Sequence, residues 1–149
     1  MTVADALDEL AHDHADLNRR VLEIGKLLAG DAIDPDSQAD QLLIELREEL
    51  FFHFAREEEG LFPFVSERIP ELAPSIDAMA TAHDAICGVV ARMCHMVKTS
   101  TVATMRGLFE RFQLAYAQHA KLEAELLRQL TAKLDADQRL ALAELVRGL

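Results

Sequence analysis

The strongest constraint in this sequence is a periodicity broken in the same way four times. Four stretches place apolar residues at alternating steps of three and four, the spacing that lines one face of an α-helix. The first runs Leu7, Leu10, His14, Leu17, Val21, Ile24, Leu28, and the second Leu43, Leu46, Leu50, His53, Glu57, Leu61, Phe64. The third runs Ile76, Met79, His83, Ile86 with Cys87, Val90, Met93, Val97. The fourth runs Leu108, Phe112, Ala115, His119, Leu122 with Glu123, Leu126, Leu130. Each stripe holds a histidine, and two hold a glutamate four residues later, at positions where the pattern calls for leucine.

Four amphipathic helices with short links fold most simply as an antiparallel up-down-up-down four-helix bundle. Glycine and proline are sparse, at 6 and 4 residues, and no stretch alternates like a strand, so the expected class is all-α. The 149 residues suffice for a single domain with its own core, the bundle covering about residues 3–132 and a short C-terminal fifth helix about 136–147. Thr2 with Asp5 resembles a capping box for the first helix, and Gly30 and Asp31 are expected to end it. Asp34-Pro35 or Asp36 opens the second helix, and Pro63 kinks or breaks its far end. Pro70 and Pro74 bracket the turn into the third. Thr99, Ser100 and Thr101 offer caps for the fourth, and Asp135 with Gln138 forms a capping box for the fifth.

A buried carboxylate costs several kcal/mol unless it is paired or binds a metal. One buried histidine is ordinary; four of them with two carboxylates are not. His14, His53, His83 and His119 each lie about 15–18 residues from the same end of the bundle, so they share one level. The order His14, His53-x3-Glu57 repeats as His83, His119-x3-Glu123, offset by 69 residues for the first member and 66 for the others. Two hairpins related by a pseudo-two-fold place one His-His-Glu set on either side of a common metal site. Nitrogen and oxygen ligands without thiolate suit iron, manganese or zinc. Iron is favoured because six protein ligands around two metals leave open coordination positions. His12 and His95 are expected to face solvent.

The formal net charge of −11 sets nucleic acid and anionic membranes aside as partners. No apolar run approaches a membrane span, and the N-terminal residues show no leader pattern, so the expected address is the cytoplasm. Cys87 and Cys94 lie two helical turns apart, about 10.5 Å, beyond disulfide reach. They are expected to be reduced thiols.

With these residues in place, the chain resembles the hemerythrin-like family of HHE cation-binding domains over about residues 5–130. The matching residues are His14; His53-x3-Glu57 with Glu58 and Leu61-Phe62-Pro63; His83; and His119-x3-Glu123. The resemblance implies a non-haem centre of two iron ions with an oxo or hydroxo bridge. Glu57 and Glu123 would bridge the irons, and His14, His53, His83 and His119 would complete the set. Oxygen-carrying members place a second histidine four residues after the one at His83; here that residue is Cys87. They also commonly use an HxxxxD spacing on the last helix, where this chain has HxxxE. The ligand count is closer to di-iron relatives linked to nitric-oxide stress and iron–sulfur repair.

Three neighbours of the set invite roles. Glu58 reads as solvated, with support of a ligand as its alternative. Tyr116, one turn before His119, reads as a core residue, with hydrogen-bond donation to a bound ligand as its alternative. Cys87 is expected to line the pocket. The expected function is binding or sensing of a small diatomic, oxygen or nitric oxide. The alternatives are an enzyme acting on peroxide or nitric oxide, with Tyr116 or Cys87 as proton donor, and a bundle whose iron occupancy controls an unidentified protein partner.

Overall fold

The computed structural model describes residues 3–147, with side chains from residue 14 onward except 143, 146 and 147. The expected Thr2 cap, the Leu7 and Leu10 side chains and the outward turn of His12 lie outside the described residues. The described residues form six α-helices: α1 (Val3–Leu28), α2 (Ala39–Arg56), α3 (Phe62–Arg68), α4 (Ala73–Met96), α5 (Val102–Lys133) and α6 (Ala136–Arg147). Among the described residues there is no strand, and no helix is long and apolar enough to cross a membrane.

The helix ends follow local chemistry, with two departures from expectation. Gly30 has no positive φ, so it is not a left-handed cap. Instead Arg106 of α5 donates to the carbonyls of Leu28 and Gly30, at 3.4 and 3.1 Å, and satisfies the end of α1. Asp34 does accept a bond, from the Asp36 N–H at 2.9 Å, but what it caps is a single 3-10 turn, Pro35–Ser37. Gln38 then takes a φ of 59°, and α2 starts only at Ala39. That left-handed step costs a side chain with a Cβ about 1–2 kcal/mol. The other caps match expectation. Thr101 accepts from the Thr104 N–H at 3.2 Å. Asp135 and Gln138 form a reciprocal box, at 2.8 and 3.0 Å, before α6.

The second stripe holds a larger surprise. The backbone stays helical from α2 through α3, but Glu57–Leu61 is a π turn, in which the Phe62 N–H bonds the Glu57 carbonyl five residues back. Such a turn amounts to one residue inserted into an α-helix. Its mark is a run of three buried neighbours, Gly60, Leu61 and Phe62. The distortion expected at Pro63 therefore falls just before it. Pro63 itself occupies the first turn of α3, where a missing N–H costs little.

Contacts run from α1 to α2, α2 to α4, α4 to α5 and α5 back to α1, and α6 lies across α1 and the π turn. The ring encloses two separate apolar clusters. One is built on Leu17, Leu46, Leu50, Ile86, Met93 and Phe112. The other is built on Leu61, Phe64, Val65, Met79, Leu126 and Leu142, the last from α6. Along the continuous helical run from α2 through the π turn to α3, and along α4 and α5, the polar residues sit between those clusters, as a layer closed above and below by hydrocarbon.

Candidate metal centre

One helical turn separates His53 from Glu57, and another separates His119 from Glu123, so each pair projects from one helix face into that layer. His83 enters from α4 and His14 from α1. His53, Glu57, His83, His119 and Glu123 are all 2 % exposed or less. The His14 side chain retains 28 % exposure.

The six side chains form two groups, each able to hold a metal ion: His14, His53 and Glu123; and Glu57, His83 and His119. Within each group the ligand atoms lie within 4.8 Å of one another. The two Nε2 atoms of the first group are 3.2 Å apart and those of the second 2.9 Å. This differs in one respect from the pseudo-two-fold expectation. Each hairpin supplies both histidines of one group, but the glutamate comes from the other hairpin. Glu57 also stays close to its own His53, at 2.8 Å, while reaching His83 at 3.5 Å and His119 at 3.6 Å. Glu123 lies 3.0 Å from His14, 3.5 Å from His53 and 3.6 Å from His119. Both carboxylates thus face both histidine pairs.

Some of these contacts are hydrogen bonds, with Oε2 of Glu123 accepting from His14 at 3.0 Å and the Nε2 atoms of each histidine pair in bonding range, but they leave other oxygens unserved. Neither Glu57 oxygen, nor Oε1 of Glu123, meets a hydrogen bond of acceptable geometry among the described residues. Such a buried oxygen would cost several kcal/mol if left so. Two donors each about 2.1 Å from one ion and 90–110° apart are about 3.0–3.4 Å from each other. The separations within the two groups, 2.9–3.6 Å, lie close to that range. Three orphaned carboxylate oxygens among four converging imidazole nitrogens therefore fit a pair of bound cations.

The electrostatics point the same way. Burial pushes the Glu57 carboxyl up, but His119, His53 and His83 pull harder and hold it well below the usual carboxylate range. Burial and the Glu57 charge oppose His14 and His53 at Glu123, and the net shift is again downward. Burial lowers His83, while Glu57 and Glu58 raise it by more. Both carboxylates are thus kept ionised, as metal ligands must be.

Of the neighbouring residues, Tyr116 packs with the core as expected and Glu58 departs from the solvated reading. Glu58 is not simply solvated: half-exposed, it accepts from Nδ1 of His83 at 3.0 Å. Tyr116 stacks on Phe112, and its hydroxyl donates to Asn18 at 3.1 Å, so it does not point at the two groups. Burial and the Glu123 charge push its ionisation upward. Cys87 is half-buried against the first apolar cluster and belongs to neither group. Its thiol is pushed up to about 11, chiefly by burial, with Glu58 and Asp84 adding. His95 is exposed. Sequence reasoning missed Phe54, which stacks on His83 with ring centres 3.8 Å apart and planes 13° from parallel. It also gave Phe62 no role at the site, yet that ring lies 5.5 Å from His83 at 18°. Neither phenylalanine falls on the three-four stripe; their burial beside it was the available signal.

A family model described as the Hemerythrin HHE cation binding domain covers residues 5–131. No curated protein and no solved structure matches the chain.

Proposed function

Since the chain belongs to the hemerythrin family of HHE cation-binding domains, we propose that it is a non-haem di-iron protein that binds or senses a small diatomic ligand, oxygen or nitric oxide. The ring of helices reads as the up-down-up-down antiparallel bundle, one domain, with α6 as an added cover. His14, His53 and Glu123 would hold one iron, and His83, His119 and Glu57 the other. The observation that carries this reading is the pair of buried His-His-Glu groups whose carboxylates each face both histidine pairs. An all-nitrogen-and-oxygen set suits iron, with manganese and zinc as the competing ions. When bound, two irons supply reversible electron transfer to a small ligand and open positions for it. The chain's own part is to keep the carboxylates ionised, to close the layer with apolar residues on both sides and so to limit water.

Ligand binding is favoured over catalysis by where the proton donors sit. An enzyme acting on peroxide or nitric oxide needs one beside the reacting ligand. The Tyr116 hydroxyl is committed to Asn18, and the Cys87 thiol stands outside both groups.

Elemental analysis after iron supplementation is expected to give two irons per chain; less than one would defeat the di-iron reading. Absorption spectra of the anaerobically reduced protein, with oxygen, nitric oxide and peroxide added separately, then choose the ligand. A reversible diatomic adduct supports the proposal. Sustained peroxide loss without such an adduct replaces it with the enzymatic reading.

A further inference from the structure

We propose that Glu58 is a positioning residue: its carboxylate holds the proton of His83 on Nδ1, so that Nε2 is presented bare toward Glu57 and His119. The inference deepens the metal-site reading and rests on it for its second half; the proton placement stands on geometry alone.

The argument begins with the inventory of donors. An ionised carboxylate only accepts, and a neutral imidazole carries one N–H and one lone pair. The 3.0 Å bond from His83 Nδ1 to Glu58 Oε1 therefore needs the proton on Nδ1. The Nε2 left over lies 2.9 Å from Nε2 of His119 and 3.5 Å from Glu57 Oε2. A metal-ligating imidazole must offer a bare nitrogen, and the hydrogen bond on its other nitrogen decides which one that is.

Two further features hold the ring to that choice. Phe54 and Phe62 lie near-parallel to the His83 ring, at 13° and 18°. This is an apolar clamp that fixes the ring plane and offers neither nitrogen another partner. The π turn supplies the second. Glu57 and Glu58 are neighbours in sequence, and in an ordinary α-turn successive side chains diverge by about 100°. A turn that closes on the fifth residue rotates each step by less. Adjacent carboxylates from Glu57–Leu61 thus reach the two nitrogens of one imidazole on the facing helix, Glu57 toward Nε2 and Glu58 onto Nδ1. Glu59, next along, is exposed.

The test uses the full chain as wild type, Glu58→Ala, Glu58→Gln and Glu59→Ala, with circular dichroism confirming equal helicity. In metal-free protein labelled at the imidazole nitrogens and held at a pH high enough to keep His83 neutral, proton–nitrogen correlation spectra report which His83 nitrogen carries the proton, the signal being assigned by its loss in His83→Gln. Wild type and Glu59→Ala are expected to show Nδ1–H. Glu58→Ala is expected to shift toward Nε2–H, and Glu58→Gln, whose amide oxygen still accepts, to stay near wild type. Anaerobic competition for iron(II) alone against a chelator is expected to show about 10–100-fold weaker retention in Glu58→Ala, largely rescued in Glu58→Gln. Unchanged Nδ1–H in Glu58→Ala overturns the proposal, whatever the iron result. Should wild type retain no iron(II), the di-iron reading fails, and the proton placement is still decided by the spectra.

Discussion

At the scale of single residues, the layer depends on which polar atoms are buried and what they face. Replacing His53 or Glu57 by Ala removes a buried side chain of the proposed metal site, whereas replacing the exposed His95 removes nothing from the layer. Metal per chain is therefore expected to fall in the first two variants and to stay at wild type in the third; equal losses in all three would contradict the placement. The same residues set a pH dependence for the metal-free protein. Glu57 and Glu123 are lowered in the fold, so their contribution is full above the unfolded carboxylate value of about 4.3 and is lost as pH falls through the folded values. His83 is raised, so its contribution is full below the unfolded value of about 6.5 and is lost as pH rises through the folded one. The metal-free melting temperature is expected to peak between those limits. Bound iron needs bare imidazoles, so its added stability is expected to grow toward higher pH. Melting scans from about pH 2 to 9, with and without iron, check both signs. A metal-free curve that climbed steadily to the alkaline end would contradict them.

At the scale of elements, the caps and the π turn carry different weights. Thr101→Ala removes the hydroxyl that accepts from Thr104 N–H and leaves the rest of α5 in place. A loss of about 1 kcal/mol in urea unfolding is expected. Deleting Glu59 removes the one residue by which this turn exceeds an α-turn, so an ordinary turn can run through Glu57–Leu61 while Phe62 still bonds the Glu57 carbonyl and α3 keeps its face. Phe64 and Val65, 2 % exposed or less, then stay buried, and the loss is expected to stay below about 2 kcal/mol, read as the urea midpoint. A loss above about 4 kcal/mol, as from turning those side chains out of the core, would show that the widened turn does not behave as an inserted residue. This turn was not legible in advance. Steps from Glu57 to Leu61 to Phe64 satisfy the three-four pattern with or without an inserted residue, and Gly60 and Pro63 mark a disturbance without saying which kind. The caps at Thr101 and Asp135 were legible because their chemistry is local. The Asp34 cap misled because the same chemistry serves a 3-10 turn.

For the whole molecule, metal is expected to act as a stability switch. A ligand that binds only the folded state at a hundredfold excess over its Kd stabilises by about 2.7 kcal/mol. For a chain of this size that corresponds to a rise in melting temperature of roughly 5–10 °C. Calorimetry before and after chelation measures it, and the shift should vanish in His53→Ala. The all-helical class and the gathering of the six polar residues were readable at this scale, because an interrupted hydrophobic stripe reports both the face and the height of each interruption. What lay beyond reach was partnership across the layer. Spacing along a chain says that His53 and Glu57 share a face; it does not say that Glu57 stands with His83 and His119 while Glu123 stands with His14 and His53. Nor does it reveal Glu58 on His83, since half-exposed acids beside a buried one look alike in sequence.

That exchange of acids reaches beyond the site itself. Cut anywhere in residues 69–72, the chain would yield two halves, each with a pair of imidazoles and one acid but parted from the carboxylate grouped with that pair in the assembled layer. Neither fragment alone would be a chelator of the native kind. Reassembly and ion capture would become a single event, so that a dissolved cation would act as the rivet joining two otherwise separate pieces.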